Sequence, residues 1–276
     1  MQNSNGVKRI SRYEPEKVEN GMQFLDADGA DTQLERATET LRDLVLRGTF
    51  PVEEKLAEVK VAELLGVSRT PARLAMAVLE QDGLLVRLPR RGFRVKSFSL
   101  DEVVEAIEVR GEIEAIAARV VAERGLHAEH RAQLEGCIGR ADIVLRGGSF
   151  EAEQRRDWCQ MNLDFHHTLV RACGMRPLWS AYRQVNLVPL ASPRDTMFNV
   201  VRPELTRRQL EGAHADHARI LEAILARQST RAAALVREHA YRSGENKRRN
   251  FPDIQMRTMV LETPGVALVR AGAAAA

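Results

Sequence analysis

Gly66-Val67-Ser68-Arg69-Thr70-Pro71-Ala72-Arg73, followed by Leu79-Glu80-Gln81-Asp82-Gly83-Leu84-Leu85 and Pro89-Arg90-Arg91-Gly92-Phe93-Arg94-Val95, is the stretch of this 276-residue chain whose reading decides the fold. Gly66 closes an apolar-periodic run (Val61, Leu64, Leu65) and suits a tight turn between two helices. Ser68 stands where an N-cap oxygen would hold the first amides of a second helix beginning near Arg69. Pro71 falls in that helix's first turn, where its missing N–H costs nothing. Ala72, Ala75, Val78 and Leu79 recur at helical spacing as a buried stripe, which leaves Arg69 and Arg73 together on another face. Gly83 is a C-cap candidate. Residues 84–87 and 93–95 have strand character, and the turn 88–92 between them reads as a basic wing. From Ser68 to Lys96 seven Lys or Arg stand against two acids, a local surplus of five where the whole chain carries +3. The order of parts predicts a winged helix-turn-helix, its second helix suited to the major groove of DNA, where guanidinium groups reach guanine edges or phosphates. A helical hairpin with only a solvated basic face would not supply turn, cap, arginine pair and basic hairpin in this order.

The length allows a second, larger domain. We expect a flexible N-terminal arm over 1–30, the winged helix-turn-helix over 31–98, an all-helical domain over 99–250, and a tail over 251–276 that ends in Ala-Gly-Ala-Ala-Ala-Ala, both ends mobile. No apolar run approaches the length of a membrane span, and no leader pattern opens the chain, so a cytoplasmic protein is expected. Cys137, Cys159 and Cys173 are scattered and odd in number, which fits reduced thiols. From Ser99 the pattern is helical almost throughout. Ser99 with Glu102 makes a capping box, and Ile107, Val109, Ile113, Ile116 and Val120 mark an amphipathic helix ending near Gly125. Further helices are expected over about 127–146, 151–173, 177–190, 203–227 and 229–248. The fold class is therefore mostly α, a winged head followed by an all-α bundle of about six helices.

Inside the bundle, Asn162 and His166 lie one helical turn apart on one face. His217 and His239 are equidistant from the turn expected at Gln228-Ser229-Thr230, so in an antiparallel hairpin they stand level, each about 16 Å along its helix. Three imidazoles and an amide oxygen converging there suit a divalent transition metal such as zinc, nickel or manganese, and leave positions open for water or a ligand. His127, His130, His167 and His214 are read as ordinary core or surface residues. Arg110 and Glu114 fall within the apolar stripe of the long helix, which points either to an internal ion pair or to a bidentate seat at Arg110 for a ligand carboxylate.

Residues 32–96 resemble the N-terminal domain of the GntR family of bacterial regulators, through the helix 34–47, the Gly48-Thr49-Phe50-Pro51 turn and the Val-Ser-Arg-Thr-Pro-x-Arg core. The resemblance implies DNA contacts at Ser68, Arg69, Thr70 and Arg73 in the recognition helix and at Arg91 and Gly92 in the wing. Val59 stands where some members place a base-reading arginine. Residues 101–245 resemble the FCD ligand-sensing domain of the FadR-type branch. That likeness implies metal ligands at Asn162, His166, His217 and His239, with Asn162 replacing the usual acid, and an effector-binding role for Arg110. The wording around Ile107–Gly111 and Phe165–Val170 is most similar to vanillate-responsive regulators, which implies an aromatic or other small organic acid. The expectation is a homodimeric, ligand-responsive repressor of a short palindromic operator, without membrane association. Two alternatives stand beside it: a regulator whose effector is the metal ion itself, and a metal-dependent hydrolase, for which no general base can be assigned from sequence.

Overall fold

The computed structural model describes residues 29–89, 92–148, 150–199, 201–255 and 263–272. Helix α1 (Gly29–Leu46) leads into β1 (Lys55–Leu56), α2 (Glu58–Leu65), α3 (Arg69–Gln81), β2 (Leu85–Arg87) and β3 (Phe93–Val95). Gly66 takes the left-handed conformation, φ 65°, and its amide returns to the end of α2, so the tight turn read from sequence forms. Gly83, φ 76°, lies one residue beyond the C-cap Asp82, with Leu84 N–H donating to Leu79 O. Ser68 occupies the N-cap of α3, yet its hydroxyl makes no capping bond.

The sheet order is β1-β3-β2, antiparallel throughout, with Leu56 opposite Phe93 and Leu85 opposite Val95. This register turns Leu56, Leu85, Phe93 and Val95 inward against Leu41, Val45, Val61, Ala75, Met76 and Leu79. Strand β1 was not expected, because two residues carry no alternation. Gly92 sits at φ 68°, and a Cβ there would lie 2.5 Å from the Leu56 carbonyl oxygen. Its glycine is thus required by the close approach of wing and β1, a structural role that stands independently of any DNA contact.

After β4 (Phe98–Ser99) come α4 (Leu100–Arg124), α5 (Ala128–Arg146), α6 (Ala152–Ala172), α7 (Arg176–Val185), α8 (Pro203–Leu225) and α9 (Ser229–Gln255). The capping box forms as read: Ser99 Oγ accepts from Glu102 N–H, and Glu102 accepts from Ser99 N–H. Helices α4 and α9 pack closely where Gly111 meets Ala240; a Cβ at 111 would fall 2.4 Å from that of Ala240. Val109 departs from expectation. It is 54 % exposed and lies outside the buried stripe, which runs through Val103, Ile107, Ile113, Ala117 and Val121. Helix α7 stops at Val185, short of 190, because Pro189 disfavours helix at the residue before it and Leu190 turns to φ 65°.

The expected tail is the main correction. Residues 266–268 form a 3-10 turn and β5 (Val269–Arg270) pairs in parallel with β4, Phe98 opposite Val269. Val266, Leu268 and Val269 are buried in the core that joins the winged head to the base of α4, the end of α9 and Leu190. Gly265 N–H donates to Leu46 O, and Ala267 packs so tightly on Gly48 that a side chain there would collide with it. This segment therefore straps head and bundle together. A second core, built on Trp158, Phe165, Tyr182, Leu210, Ile220 and Val236, fills the bundle.

Candidate functional site

Two regions carry the chemistry. The first is the outer face of α3. Ser68, Arg69, Thr70 and Arg73 are all exposed there, on the side opposite buried Ala72, Ala75, Met76 and Leu79. Arg69 lies 3.8 Å from Glu58, an exposed pair that holds the guanidinium loosely. Arg87 pairs with Glu80, and Val59 is exposed beside the turn. Arg91 lies outside the described residues.

The second region is deep in the bundle. His166 from α6, His217 from α8 and His239 from α9 bring one ring nitrogen each within 4.8 Å of one another, all three buried. Ring centroids are 5.2 Å apart for His166 and His217, 5.3 Å for His166 and His239, and 4.7 Å for His217 and His239. The level pairing across the α8–α9 turn is what the spacing of 217 and 239 about Gln228 demands. Phe165 stacks on the His217 ring at 4.1 Å and fixes its plane.

Two carboxylates orient this cluster, and neither was assigned that work from sequence. Glu114 Oε2 stands 2.9 Å from His166 Nδ1, and Asp216 Oδ2 stands 3.2 Å from His239 Nδ1. A carboxylate on one ring nitrogen fixes the tautomer and aims the other nitrogen, the usual support of a metal-binding histidine. Arg110, 2 % exposed, lies 3.4 Å from Glu114, so the ion pair allowed by the sequence exists and is shared with the histidines. Burial favours the neutral acid at Glu114, but His166 and Arg110 outweigh it and hold the carboxyl below its ordinary range. Burial, with His239 and His166 adding to it, drives His217 well below the usual imidazole value, which keeps its ring neutral and able to ligate.

The donor set fits a divalent metal on a further count. Buried atoms without a hydrogen-bond partner include both ring nitrogens of His166 and of His217, both carboxylate oxygens of Glu114 and Oδ1 of Asn162, so the 2.9 Å approach of Glu114 to His166 Nδ1 is a charge contact rather than an aligned hydrogen bond. Orphaned buried acceptors of this kind are rare and call for an ion or water. Asn162 spends its amide N–H on Pro193 O at 2.7 Å, leaving Oδ1 as the atom it can offer.

Asn162, His166, His239 and Arg110 line one cavity of about 420 Å³, within the range of small-molecule sites. Lys247, unnoticed in the basic run Lys247-Arg248-Arg249, also lines it and is 6 % exposed. Burial pushes its ammonium down to about 8, against the pull of Asp195. The remaining histidines are ordinary: His214 meets Asp142 at 2.9 Å, and His167 packs edge-on to Trp179 and Tyr182.

Residues 33–95 match the family described as "Bacterial regulatory proteins, gntR family", and residues 105–242, half of the chain, match the FCD domain. The chain belongs to the GntR family and carries an FCD domain. Among the relatives of this GntR protein, the uncharacterized regulator YdhC of Bacillus subtilis is 32 % identical over 146 residues, 53 % of this chain and 63 % of YdhC, under two thirds of that relative's length. The transcriptional repressor GlaR of Escherichia coli is 26 % identical over 201 residues, 72 % of this chain and 88 % of GlaR. In fold it is similar to Escherichia coli McbR/YncC, TM-score 0.55 at 20 % identity over 75 % of this chain and 93 % of that one. It is also similar to Lar of Listeria monocytogenes, TM-score 0.57 at 16 % identity over 83 % and 99 %. Among the described residues no helix is long and apolar enough to cross a membrane.

Proposed function

We propose that this GntR protein is a transcription regulator, a repressor, that binds a short palindromic operator as a homodimer and changes its affinity for DNA when a small carboxylate enters the cavity of the FCD domain. The observation that carries the reading is the pairing, within one chain, of an exposed arginine face on α3 with a buried cavity lined by Arg110, Asn162, His166 and His239. One recognition helix reads only a half-site, so two-fold symmetry supplies both affinity and selectivity. The family match and the repressor names of GlaR and of a probable D-xylose operon repressor support repression over activation. A regulator that acts on operator DNA in this way works in the cytoplasm. In this reading Arg110 receives the effector carboxylate, and His166, His217, His239 and Asn162 hold a divalent metal beside it. An aromatic acid is supported only by the resemblance to vanillate-responsive regulators.

The test is operator binding. Arg69→Ala and Arg73→Ala are each expected to weaken it by about 1–3 kcal/mol, roughly 5- to 150-fold, where the contact is base-specific. Both side chains are exposed, so the melting temperature should hold. Gel-shift titrations with wild-type affinity in both variants would remove this face from the DNA contact.

A second reading, in which the metal is itself the effector, draws on the same histidine cluster. Operator affinity that follows zinc or nickel without any organic acid would favour it. The hydrolase reading is less favoured: the two carboxylates beside the cluster among the described residues, Glu114 and Asp216, each face a histidine ring, where a general base would have to face the bound water.

A further inference from the structure

Residues of the segment between α7 and α8, Ser192, Pro193 and Asp195 among them, line the cavity, and three side chains from three different helices hold it by alternate peptide carbonyls. Arg110 of α4 donates to Ala191 O, Asn162 of α6 to Pro193 O, and Lys247 of α9 to Asp195 O. All three donors, with Pro193 and Asp195, line the cavity. Lys247 has no carboxylate in salt-bridge contact among the described residues, and Arg110 has only Glu114. Two buried cations thus direct full charges at neutral carbonyl oxygens, which are weaker acceptors than a carboxylate. Five basic residues against three acidic ones line the cavity, with Asp216 shared by His239 and Arg242; of the two cations buried there, Arg110 meets Glu114, and Lys247 feels the buried Asp195 side chain without a salt bridge to it among the described residues.

We infer that the cavity is built for a dicarboxylate, one carboxylate on Arg110 and the other on Lys247, and that the carbonyls of Ala191 and Asp195 hold those donors in the ligand's absence. The inference rests on the reading of the cavity as an effector site and adds the class of effector and the second anchor. Binding then exchanges loop for ligand. Leu190, at φ 65° in a conformation unfavourable for a branched side chain, begins the segment held by these bonds. Once Arg110 and Lys247 turn to the ligand, the segment loses two of its three ties. Its other side touches the strap, since a Cβ on Gly265 would lie 3.0 Å from Pro189 Cβ. The strap in turn binds Leu46 O and packs on Gly48 of the winged head. The same exchange that seats the effector therefore loosens the segment that abuts the strap.

The experiment uses matched probes with the full chain: succinate against succinamate, and terephthalate against 4-carbamoylbenzoate, by calorimetry, with wild type, Lys247→Met and Lys247→Gln. The diacid of at least one pair is expected to bind wild type ten- to a hundredfold tighter than its monoamide. Both variants should cost the diacid ten- to a hundredfold and the monoamide far less, the monoamide's remaining binding showing that the cavity is intact. Hydrogen exchange of the backbone amides in 187–197 should quicken when the diacid binds. Equal affinity of diacid and monoamide, unmoved by Lys247→Met and Lys247→Gln, would overturn the dicarboxylate assignment and leave the effector cavity standing. Binding by none of the four would overturn both.

Discussion

A chain ended at Glu262 is expected to lose most of its folding stability, although only the last 14 residues are removed. Val266, Leu268 and Val269 are 2 %, 0 % and 3 % exposed, inside the core that joins head and bundle. Full burial of an aliphatic side chain contributes about 1.5–3 kcal/mol, so the three together supply roughly 4.5–9 kcal/mol by the same rule. A domain's whole stability is about 5–15 kcal/mol. Truncation also leaves strand β4, with Phe98, without its partner. Leu268→Ala alone should cost about 2–5 kcal/mol, the ordinary range for a buried leucine in a filled site. Urea titration of both variants measures this. A truncated chain that unfolds at the wild-type urea midpoint would show that the strap adds nothing to the fold.

The strap also marks where the sequence stops being legible. Its strand is two residues long and its partner lies 171 positions earlier, so no local period announces it; the alanine-rich end beyond it suggests a tail. The same holds for β1, which pairs with β3 across nearly forty residues. What the sequence does state clearly is punctuation and spacing. Gly66, Gly83 and the Ser99–Glu102 box act through their own backbone geometry, and each is found where that geometry requires. The histidine pair follows from symmetry about one turn. Side chains whose role depends on burial are a different matter. Lys247 reads as one more solvated cation in a basic run, although it stands eight residues after His239, within the same broad face of α9. Asp216 sits next to His217 in sequence yet serves His239, a contact made across the helix pair. Val109 errs the other way: an apolar residue at an acceptable period, it faces outward because the stripe of α4 passes beside it.

Metal affinity is where the departure at Asn162 should be felt, and where Glu114 becomes measurable. A neutral amide binds a divalent cation less strongly than a carboxylate, so Asn162→Asp should tighten zinc binding. The change places negative charge where Oδ1 now lies buried without a partner. Glu114 supplies the compensation. It is wholly buried, 2.9 Å from His166 Nδ1, and kept ionised by Arg110 and His166 against the effect of burial. By fixing that ring and raising its basicity it strengthens a ligand it never replaces, and loss of such a partner typically costs about 10–100-fold in metal affinity. Glu114→Gln should therefore weaken zinc binding by about that factor. His217→Ala, which removes a ligand outright, should weaken it further. Competition against a chromogenic chelator orders the four proteins, with Asn162→Asp above wild type and Glu114→Gln above His217→Ala. Because Glu114→Gln also leaves Arg110 without its carboxylate, the metal-free melting temperature is measured beside each titration. A variant that melts as wild type but binds zinc weakly isolates the effect on the ring. Zinc affinity left unchanged by both Glu114→Gln and His217→Ala would take the metal away from this cluster, and with it the reason for three imidazoles to bring ring nitrogens within 4.8 Å of one another.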